Sequence, residues 1–386
     1  MKRVLIVGGW GTTHIRRFLG VLCRSKSEDL IIDAFDPSLN DTSSFEIPVD
    51  NVYRIKKNRF QNRLYSIRKV GTFFYEKRKL KEFRKIIRAC HYDLVNFHFA
   101  PRNAYDYVKI CHEYDTKVML TPLGSDVLRV SHFYVPNLIK AFAECDYVSA
   151  NTLTGFTQKL KDRYHVSDEK IINLGYGSET ISSMIDMKGK YSRQQLVEML
   201  HIPYSPFYIA CGYTANIAQH HDLILDALYE NKEYLPKDYC ILIPLTYGPN
   251  KEQLIKELPG RCEKYGLNYQ LLTDYLDNDQ VAALRLITDL FIHIQPTDCY
   301  NSSLQEFLLA GTQCINGKWL DYPSLERCGN PYYICDTLEA LPGTLLDVLQ
   351  NRAEKAPLGE MIVEEITSNA WDSKIKEWVS FYSTIR

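Results

Sequence analysis

Residues 297–312 of this 386-residue chain read Thr-Asp-Cys-Tyr-Asn-Ser-Ser-Leu-Gln-Glu-Phe-Leu-Leu-Ala-Gly-Thr. They follow an apolar, strand-like segment, Leu290 to Ile294, and their own pattern predicts a short amphipathic helix that begins near Ser302. A buried strand that leads directly into a helix is the repeating unit of a parallel α/β sheet. The start of such a helix also offers backbone N–H groups and a positive dipole end to an anion such as a diphosphate. Asp298 stands just before the helix, and Glu306 lies one turn inside it, placed to accept hydrogen bonds from a diol such as a ribose.

The rest of the chain repeats this alternation of strand and helix. In the first half, apolar runs predict strands at Val4–Val7, Leu30–Phe35, Leu94–Phe99, Val118–Leu120, Tyr147–Ala150 and Ile171–Leu174. In the second half, they predict strands at Tyr208–Cys211, Cys240–Pro244, Tyr269–Leu272, Leu290–Ile294 and Gln313–Ile315. Helical patterns lie between them, at Ile15–Ser25, Tyr75–Cys90, Ala104–Glu113, Leu153–Tyr164, Leu223–Glu230, Lys251–Tyr265, Asp279–Ile287 and Ser303–Ala310. Alternating elements of this kind predict an α/β fold with doubly wound parallel sheets.

The pattern restarts near residue 208, which predicts two Rossmann-like domains. The chain length suits two domains of roughly 150–200 residues each. We expect an N-terminal domain over residues 1–180 and a second domain over residues 190–365, divided near Thr180–Gly189. Residues 366–386 end in an amphipathic, aromatic segment, and we expect this C-terminal helix to pack back towards the N-terminal domain.

The composition is that of an ordinary globular enzyme. Apolar residues make up 45% of the chain and charged residues 24%. No run reaches the roughly 18 apolar residues of a membrane-spanning helix, and the stretch Met1–Gly8 resembles a first buried strand rather than a signal peptide. The eleven cysteines form no C-x-x-C pair, so they indicate neither a disulfide framework nor a zinc site. A reducing cytoplasm is the expected location.

One segment carries a strong positive charge. Between Arg54 and Arg88, fourteen Lys or Arg residues face Glu76 and Glu82, a net formal charge of +12. Aromatic residues interrupt the run at Phe60, Tyr65, Phe73, Phe74 and Tyr75. A basic run with interleaved aromatics is typical of a segment that binds an anionic membrane surface, which we favour over nucleic acid. A merely solvated helix face remains the alternative.

Two other motifs bear on a dinucleotide site and on a metal site. The turn Gly8–His14 follows the first strand, but Thr13 replaces the last glycine of the dinucleotide fingerprint, so the sequence disfavours a dinucleotide oxidoreductase. Asp277-Asn278-Asp279 imitates a D-x-D metal motif, yet it precedes a helical pattern, where aspartates are favoured caps. No cluster of Asp, His and Glu in the sequence supports a metal site, and we expect neither metal nor cofactor.

Taken together, the chain resembles the GT-B glycosyltransferases, whose two Rossmann-like domains face one another across a cleft. Asp298 to Glu306 is similar to the E-x7-E motif of the large retaining group, with Asp in place of the first Glu, and Ala310-Gly311-Thr312 is similar to its continuation. The resemblance implies that the second domain binds a nucleotide-diphosphate sugar and the first domain an acceptor. It also implies that Asp298 lies near the donor sugar and that Glu306 holds the ribose hydroxyls.

The first half carries weaker similarities to the same family. Asp93–Phe99 resembles the family's D-v-v-H-x-H strand and ends in His98, while Thr121–Val127 resembles its H-G-S-D turn and contains Asp126. If the reaction inverts the anomeric configuration, it requires a general base, for which Asp126 and His98 are the candidates. If the reaction retains the configuration, no such base is obligatory. Both residues have structural alternatives, since Asp126 could cap a helix and His98 could be a satisfied strand-end histidine.

One segment departs from the retaining family. Cys211–His221 contains neither of the Arg and Lys residues that grip the donor diphosphate in that group. Together with Ile243–Gly248, it is more similar to the bacterial acetamido-fucosyl transferases that work on undecaprenyl-linked acceptors. The resemblance implies that Thr214, Asn216 and His220, with the helix start at Ser302-Ser303, replace the missing cations. It leaves open whether the reaction retains or inverts.

The candidate residues form two sets. The expected donor-binding residues are Gly9, Gly11, Thr214, Asn216, His220, Tyr247, Tyr275, Asn301, Ser302, Ser303 and Glu306. The expected catalytic residues are Asp126, His98 and Asp298. Capping offers an alternative at the central helix, because Asp298 could cap it and both Ser302-x-x-Gln305 and Ser303-x-x-Glu306 fit a capping box.

The expected function is transfer of a sugar from a nucleotide-diphosphate sugar to a membrane-proximal, polyprenyl-linked glycan acceptor in bacterial surface polysaccharide synthesis. The protein is then cytoplasmic and peripheral on the inner face of the plasma membrane, and it binds no nucleic acid. A sugar-nucleotide epimerase of the same fold and a non-catalytic carbohydrate-binding protein are the alternatives.

Overall fold

The structure is a computed structural model of the chain, and it describes residues 1–10, 13–38, 46, 48–55, 70–150, 155–298, 300–329, 331–351 and 358–385. The chain divides into two compact units. Unit 1 comprises Met1–Tyr176 and Asp372–Arg386, and unit 2 comprises Gly177–Trp371.

The described residues of unit 1 form a seven-stranded parallel sheet in the order β3-β2-β1-β4-β5-β6-β7. Its strands are β1 (Lys2–Val7), β2 (Leu30–Asp36), β3 (Asn51–Arg54), β4 (Leu94–His98), β5 (Lys117–Thr121), β6 (Tyr147–Ser149) and β7 (Ile171–Ile172). The helices that follow are α1 (Thr13–Ser25), α2 (Val70–Ala89), α3 (Ala104–His112), α4 (Ser125–Leu128), α5 (Val135–Glu144) and α6 (Gly155–Tyr164).

The core of unit 1 surrounds its central strands, β1 and β4. Both strands are buried on both faces, as expected of a parallel sheet that helices cover on each side. The last helix of the chain contributes to this core, since the indole of Trp378 donates to the Gly175 carbonyl at 2.9 Å. The amide of Asn96 on β4 donates to the Tyr382 hydroxyl at 2.7 Å.

The described residues of unit 2 form a six-stranded parallel sheet in the order β10-β9-β8-β11-β12-β13. Its strands are β8 (Phe207–Cys211), β9 (Tyr239–Pro244), β10 (Tyr269–Leu272), β11 (Leu290–His293), β12 (Gln313–Gly317) and β13 (Tyr333–Cys335). Its first helices are α7 (Glu179–Met187), α8 (Arg193–Met199), α9 (His221–Glu230), α10 (Lys251–Tyr265) and α11 (Asn278–Ile287). They are followed by α12 (Ser302–Leu309), α13 (Pro323–Arg327), α14 (Leu341–Gln350) and α15 (Glu360–Thr367). The last helix of the chain, α16 (Trp371–Thr384), belongs to unit 1 except for its first residue.

The fold-class prediction is confirmed: the chain contains two α/β units built on parallel sheets in the 3-2-1-4 order of doubly wound folds. All eleven predicted strands are present. The sequence did not predict β3, an edge strand that is largely exposed and carries few apolar residues, or β13, which is three residues long. It also missed several helices that lie between the predicted elements, including α7, α8 and α14.

Two further sequence interpretations can be compared with the structure. Asp277 caps α11, because its carboxylate accepts a hydrogen bond from the Gln280 N–H at 2.8 Å in a capping box, which confirms the capping interpretation of the D-x-D sequence. In the described part of the chain, no group of three His, Cys, Asp or Glu side chains is placed to hold a metal ion. Nor does any helix there have the length and apolar character needed to cross a membrane.

Candidate functional site

The sheet of unit 2 has its topological switch point between β8 and β11, where the strand order reverses. In doubly wound sheets, ligands bind outside the carboxyl ends of the strands at this point. The segment after β8 contains Thr214, Asn216 and His220, and the segment after β11 contains Asp298 and the start of α12. Two stretches of the predicted donor site, more than 75 residues apart in sequence, therefore meet at the position where the fold favours a ligand.

The start of α12 is capped by Asn301. Its side-chain oxygen accepts a hydrogen bond from the Leu304 N–H at 3.0 Å. The alternative in which Ser302 or Ser303 begins a capping box does not hold, because Asn301 occupies the capping position. Ser302 is exposed at the helix start, and Ser303 is buried beside it. With the cap supplied from Asn301, the two hydroxyls are not needed to close the helix.

Asn301 also joins a network of buried and half-buried polar side chains that the sequence did not predict. Its amide donates to the Tyr213 hydroxyl at 2.7 Å, and that hydroxyl donates to the Gln295 side chain at 3.0 Å. Gln219 donates to the same Gln295 oxygen at 2.9 Å. Burial raises the pKa of Tyr213, so its hydroxyl keeps its proton at neutral pH. These bonds fix the segment after β8 to the segment after β11.

Asp298 lies beside this hydrogen-bond network, close to the side chains of Tyr322 and His293. The Tyr322 hydroxyl donates to its carboxylate at 2.5 Å, and the same oxygen lies 3.7 Å from His293 Nε2. His293 Nδ1 lies 2.9 Å from the Asn316 side-chain oxygen. Burial lowers the pKa of His293, so the ring is neutral, with its proton on the Nδ1 that faces Asn316. The Asp298 carboxylate is thus oriented by a hydroxyl and not neutralised by a charged histidine.

Glu306 is buried and takes part in an ion pair. Its exposed fraction is 4%, and one carboxylate oxygen lies 3.0 Å from Nε of Arg285, which is 5% exposed. The other oxygen accepts a hydrogen bond from the Ser178 hydroxyl at 2.8 Å. Arg285 also donates to the Ser303 hydroxyl at 3.1 Å. Neither Arg285 nor Ser178 was identified from the sequence.

The loops after β8 and β9 are tied together through their backbones. The Ala215 N–H donates to the Tyr247 carbonyl at 2.8 Å, and the Asn250 N–H donates to the Ala215 carbonyl at 3.0 Å. Gly248 has a φ of +138°, and a Cβ there would lie 2.4 Å from the Ala215 oxygen, so this close approach requires glycine. Tyr247 is 55% exposed above this contact, next to the segment that contains Thr214.

Asn216 and His220 shape the backbone of the segment after β8, and Tyr275 lies after a different strand. Asn216 caps the short 3-10 helix Ile217–Gln219 through a hydrogen bond from the Ala218 N–H, and His220 adopts a left-handed conformation at the start of α9. Tyr275 follows β10, which lies two strands away from β8 in the sheet.

Asp126 lies in unit 1 at the carboxyl end of β5, where it holds backbone. Its carboxylate accepts hydrogen bonds from the Ala100 N–H at 2.6 Å and the Leu123 N–H at 3.0 Å. Burial raises the pKa of Asp126 to about 6, although the backbone hydrogen bonds oppose this shift. The carboxylate therefore joins the loop after β4 to the loop after β5.

His98 lies at the end of β4 in a buried aromatic cluster. Its ring centroid is 4.4 Å from that of Phe18 and 5.7 Å from those of Tyr176 and Trp378. Nδ1 is hydrogen-bonded to the Tyr176 hydroxyl, and Nε2 has no partner among the described residues. Burial lowers the pKa of His98 to about 3, so the ring is neutral at physiological pH.

The glycine turn after β1 lies at the corresponding switch point of unit 1, between β1 and β4. Gly9 belongs to this turn, whereas Gly11 lies outside the described residues. Residues 56–69 of the basic run also lie outside them. The described remainder of that run is mainly α2, where Phe73 is 55% exposed and Phe74 is 46% exposed. The Lys77 ammonium lies 4.4 Å from the Phe73 ring centroid.

No protein-family model matches the sequence, and neither does any curated protein sequence. Solved structures do match it over its whole length. A sucrose-phosphate synthase from Thermosynechococcus elongatus superposes with a TM-score of 0.71 at 12% identity, covering 99% of this chain and 98% of that one. A glycosyltransferase from Rickettsia africae has a TM-score of 0.71 at 15% identity and covers 100% and 98% of the two chains.

HepE from Anabaena, solved in complex with UDP and glucose, has a TM-score of 0.68 at 13% identity and covers both chains completely. At such identities the likeness concerns the fold. The match over whole chains confirms the expected GT-B fold, the architecture these glycosyltransferases share with this chain.

Proposed function

We propose that this protein is a glycosyltransferase that takes a sugar from a nucleotide-diphosphate sugar. The observation that carries the proposal is the capped start of α12 at the β8/β11 switch point, with Asp298 before it and Glu306 one turn inside it. The fold supports it, because HepE shares that fold and was solved with UDP and glucose. A helix start that favours a diphosphate, next to a carboxylate that can accept hydrogen bonds from ribose hydroxyls, suits a nucleotide sugar.

The helix start is the proposed diphosphate site. The N–H groups at Ser302 and Ser303, with the two hydroxyls, donate to the phosphate oxygens, and Thr214, Asn216 and His220 face the same anion from the loop after β8. As the sugar leaves, negative charge develops on the diphosphate, and donors fixed in advance stabilise it without reorganising. Tyr247 and Tyr275 are proposed as further donor contacts in unit 2, and Gly9 and Gly11 as donor contacts in unit 1.

Asp298 and Asn301 are proposed to orient the donor sugar. Tyr322 already fixes the direction of the Asp298 carboxylate, which suits a group that must meet one sugar hydroxyl. Glu306 is proposed to hold the ribose, since its oxygens each use one acceptor position in the pairs with Arg285 and Ser178 and retain further lone pairs.

A base on the acceptor side is needed only if the reaction inverts. Asp126 has a pKa near the operating pH, which favours it as a base, but its oxygens already accept two backbone hydrogen bonds. His98 is neutral and has an unpartnered ring nitrogen, so it is proposed as a contact for the acceptor hydroxyl.

The acceptor is proposed to be a lipid-linked glycan of bacterial surface polysaccharide synthesis, reached at the inner face of the plasma membrane from the cytoplasm. The basic run between Arg54 and Arg88 supports this, as do Phe73 and Phe74 of α2, which are exposed and belong to a residue type that enters membrane interfaces. Binding to vesicles that contain anionic lipid, and loss of that binding in a Phe73→Ser, Phe74→Ser variant, test this part. Equal binding to neutral vesicles would contradict it.

The donor proposal is tested with a thermal-shift panel of nucleoside diphosphates and nucleotide sugars, followed by an assay for release of the nucleoside diphosphate. A ligand at 100 times its dissociation constant stabilises the native state by about 2.7 kcal/mol, which raises the melting temperature by several degrees. Glu306→Ala should lose most of that shift. The proposal fails if no nucleotide stabilises the wild-type protein.

A further inference from the structure

Arg285 stands out among the groups that the sequence did not identify. It lies in the last turn of α11, is almost fully buried, and contacts three residues of α12 with a single guanidinium. Nε lies 3.0 Å from Glu306, Nη2 lies 3.1 Å from the Ser303 hydroxyl, and Cζ lies 4.3 Å from the Phe307 ring centroid. Nη1 has no hydrogen-bond partner among the described residues. The buried guanidinium of Arg285 therefore contacts the first two turns of α12.

Stability alone is a weak reason for this arrangement. A buried ion pair loses about as much in desolvation as it gains in attraction, and apolar residues of the same volume often replace such pairs without loss. Arg285 instead bonds the two residues of α12, Ser303 and Glu306, that carry the proposed nucleotide contacts. Its planar guanidinium fixes these two side chains relative to one another, which the flexible ammonium group of a lysine cannot do.

The hydrogen-bond directions give this contact a consequence for binding. Arg285 has no acceptor, so the Ser303 oxygen must accept from it, and the proton of that hydroxyl is left to donate elsewhere. The other side of Glu306 is fixed in the same way. Ser178 accepts from the Ile181 N–H at 3.3 Å and donates to Glu306. Ser303 thus presents a donor, as a phosphate requires, and Glu306 presents acceptors, as a ribose diol requires.

We propose that Arg285 is a positioning residue of the nucleotide site: it fixes Ser303 as a hydrogen-bond donor to the diphosphate and Glu306 as an acceptor for the ribose hydroxyls. This inference rests on the proposed function, because it assumes that a nucleoside diphosphate binds at α12. It adds that selectivity for ribose over deoxyribose depends on a side chain that does not itself contact the sugar.

The test compares two ligands, UDP and 2′-deoxy-UDP, by isothermal titration calorimetry, with the GDP and ADP pairs used if UDP does not bind. The wild-type protein should prefer the ribonucleotide by roughly tenfold or more, the value of one hydrogen bond to a charged group. Arg285→Lys keeps the charge but cannot hold both partners. Its preference should fall to about onefold to threefold. Partial unfolding lowers both affinities by the same factor, so the ratio reports positioning and not stability.

Arg193 supplies a matched control at the opposite edge of the same sheet. It pairs with Asp289 at 2.6 Å and stacks on the Tyr208 ring, at the amino ends of β8 and β11. Arg193→Lys makes the same chemical change away from the site and should leave the ribose preference intact. Ser303→Ala should weaken both nucleotides, and combining it with Arg285→Lys should weaken them by less than the product of the two single effects.

The outcomes separate this inference from the proposed function. If the wild type binds no nucleoside diphosphate, the proposed function itself fails. If it binds them without a ribose preference, or if Arg285→Lys keeps the full preference, Arg285 has no positioning role and the donor site stands without it. A preference lost equally in Arg193→Lys would also overturn the inference, because the effect would then be general.

Discussion

Replacement of Asn301 removes three hydrogen bonds at the start of α12 in one step. Loss of the cap to the Leu304 N–H costs about 1 kcal/mol. The Tyr213 hydroxyl loses a donor at 2.7 Å, and His293 Nε2 loses a buried donor at 3.3 Å, together about 2 kcal/mol. Asn301→Ala should therefore lower the free energy of unfolding by about 3 kcal/mol. Asn301→Ser, which keeps a cap, should lower it by about 2 kcal/mol.

Urea unfolding followed by circular dichroism measures these differences. If both variants lie within about 0.5 kcal/mol of the wild type, Asn301 is not the organising residue of the helix start. If Asn301→Ser is as unstable as Asn301→Ala, the cap itself contributes nothing. In either case the physical account of this helix start would be refuted.

The same position tests the anion site. Asp caps a helix as well as Asn does, so Asn301→Asp keeps the helix but adds a negative charge at its start. At about 6 Å and an effective dielectric constant near 20, a single charge repels another by about 3 kcal/mol, or roughly 100-fold in affinity. Calorimetric titration should show that this variant binds a nucleoside diphosphate far more weakly than Asn301→Ser does. Equal binding by the two variants would place the diphosphate elsewhere.

Three further predictions concern buried ionisable side chains. The folded-state pKa of Asp126 lies near 6, above its ordinary 3.8, so the folded state binds this proton more tightly than the unfolded state does. The contribution of Asp126 to the free energy of unfolding therefore declines as pH rises from about 4 to about 6. Asp126→Asn should remove that decline when the free energy of unfolding is measured over a pH series. His98 should show the opposite pH dependence of stability, because its folded-state pKa of about 3 lies below its ordinary 6.5. Its contribution to the free energy of unfolding is lost as pH falls from 6.5, by up to about 1.4 kcal/mol per pH unit. His98→Phe should flatten this loss, and an unchanged slope would contradict the lowered pKa. Arg285→Met and Glu306→Leu should each lower the free energy of unfolding by about 3–5 kcal/mol, because each leaves the other charge buried without its partner. The double variant should lower it by less than either single variant, as a double-mutant cycle by urea unfolding measures. Additive losses would show that the two side chains are not coupled.

The sequence predicted the fold well because the fold depends on local patterns. Central strands such as β1 and β11 contain the apolar runs Val4–Val7 and Leu290–Ile292, and helices follow them, as at Ser302 after β11. Where the local pattern is weak, the prediction failed. The edge strand β3 (Asn51–Arg54) is held by its pairing with β2 and not by burial of its own side chains, and its two strand-favouring residues, Val52 and Tyr53, are too short a run to predict it.

The candidate site was predicted only as far as its sequence-local part. Asp298, Asn301 and Glu306 lie within nine residues of one another, but the partners that orient them are distant in sequence. Arg285 lies 21 residues from Glu306, and Tyr213 lies 88 residues from Asn301. Such partners have no local signal, because any buried arginine or tyrosine has the same pattern until the tertiary structure shows what it contacts.

The sequence also did not predict which residue caps α12. Asn301, Ser302 and Ser303 are all good capping residues, and their order in the sequence does not decide between them. The structure uses Asn301 because its amide has both an acceptor for the Leu304 N–H and donors for Tyr213 and His293. A serine there would satisfy the helix but not the buried groups around it.

A nucleoside diphosphate is proposed to bind at the start of α12. Hydrogen exchange measured by mass spectrometry, with and without the nucleoside diphosphate that stabilises the protein most, tests it directly. We expect slower exchange in peptides that cover residues 296–306 and the loop after β8 at residues 212–220. Protection confined to other peptides, with these two unchanged, would contradict it.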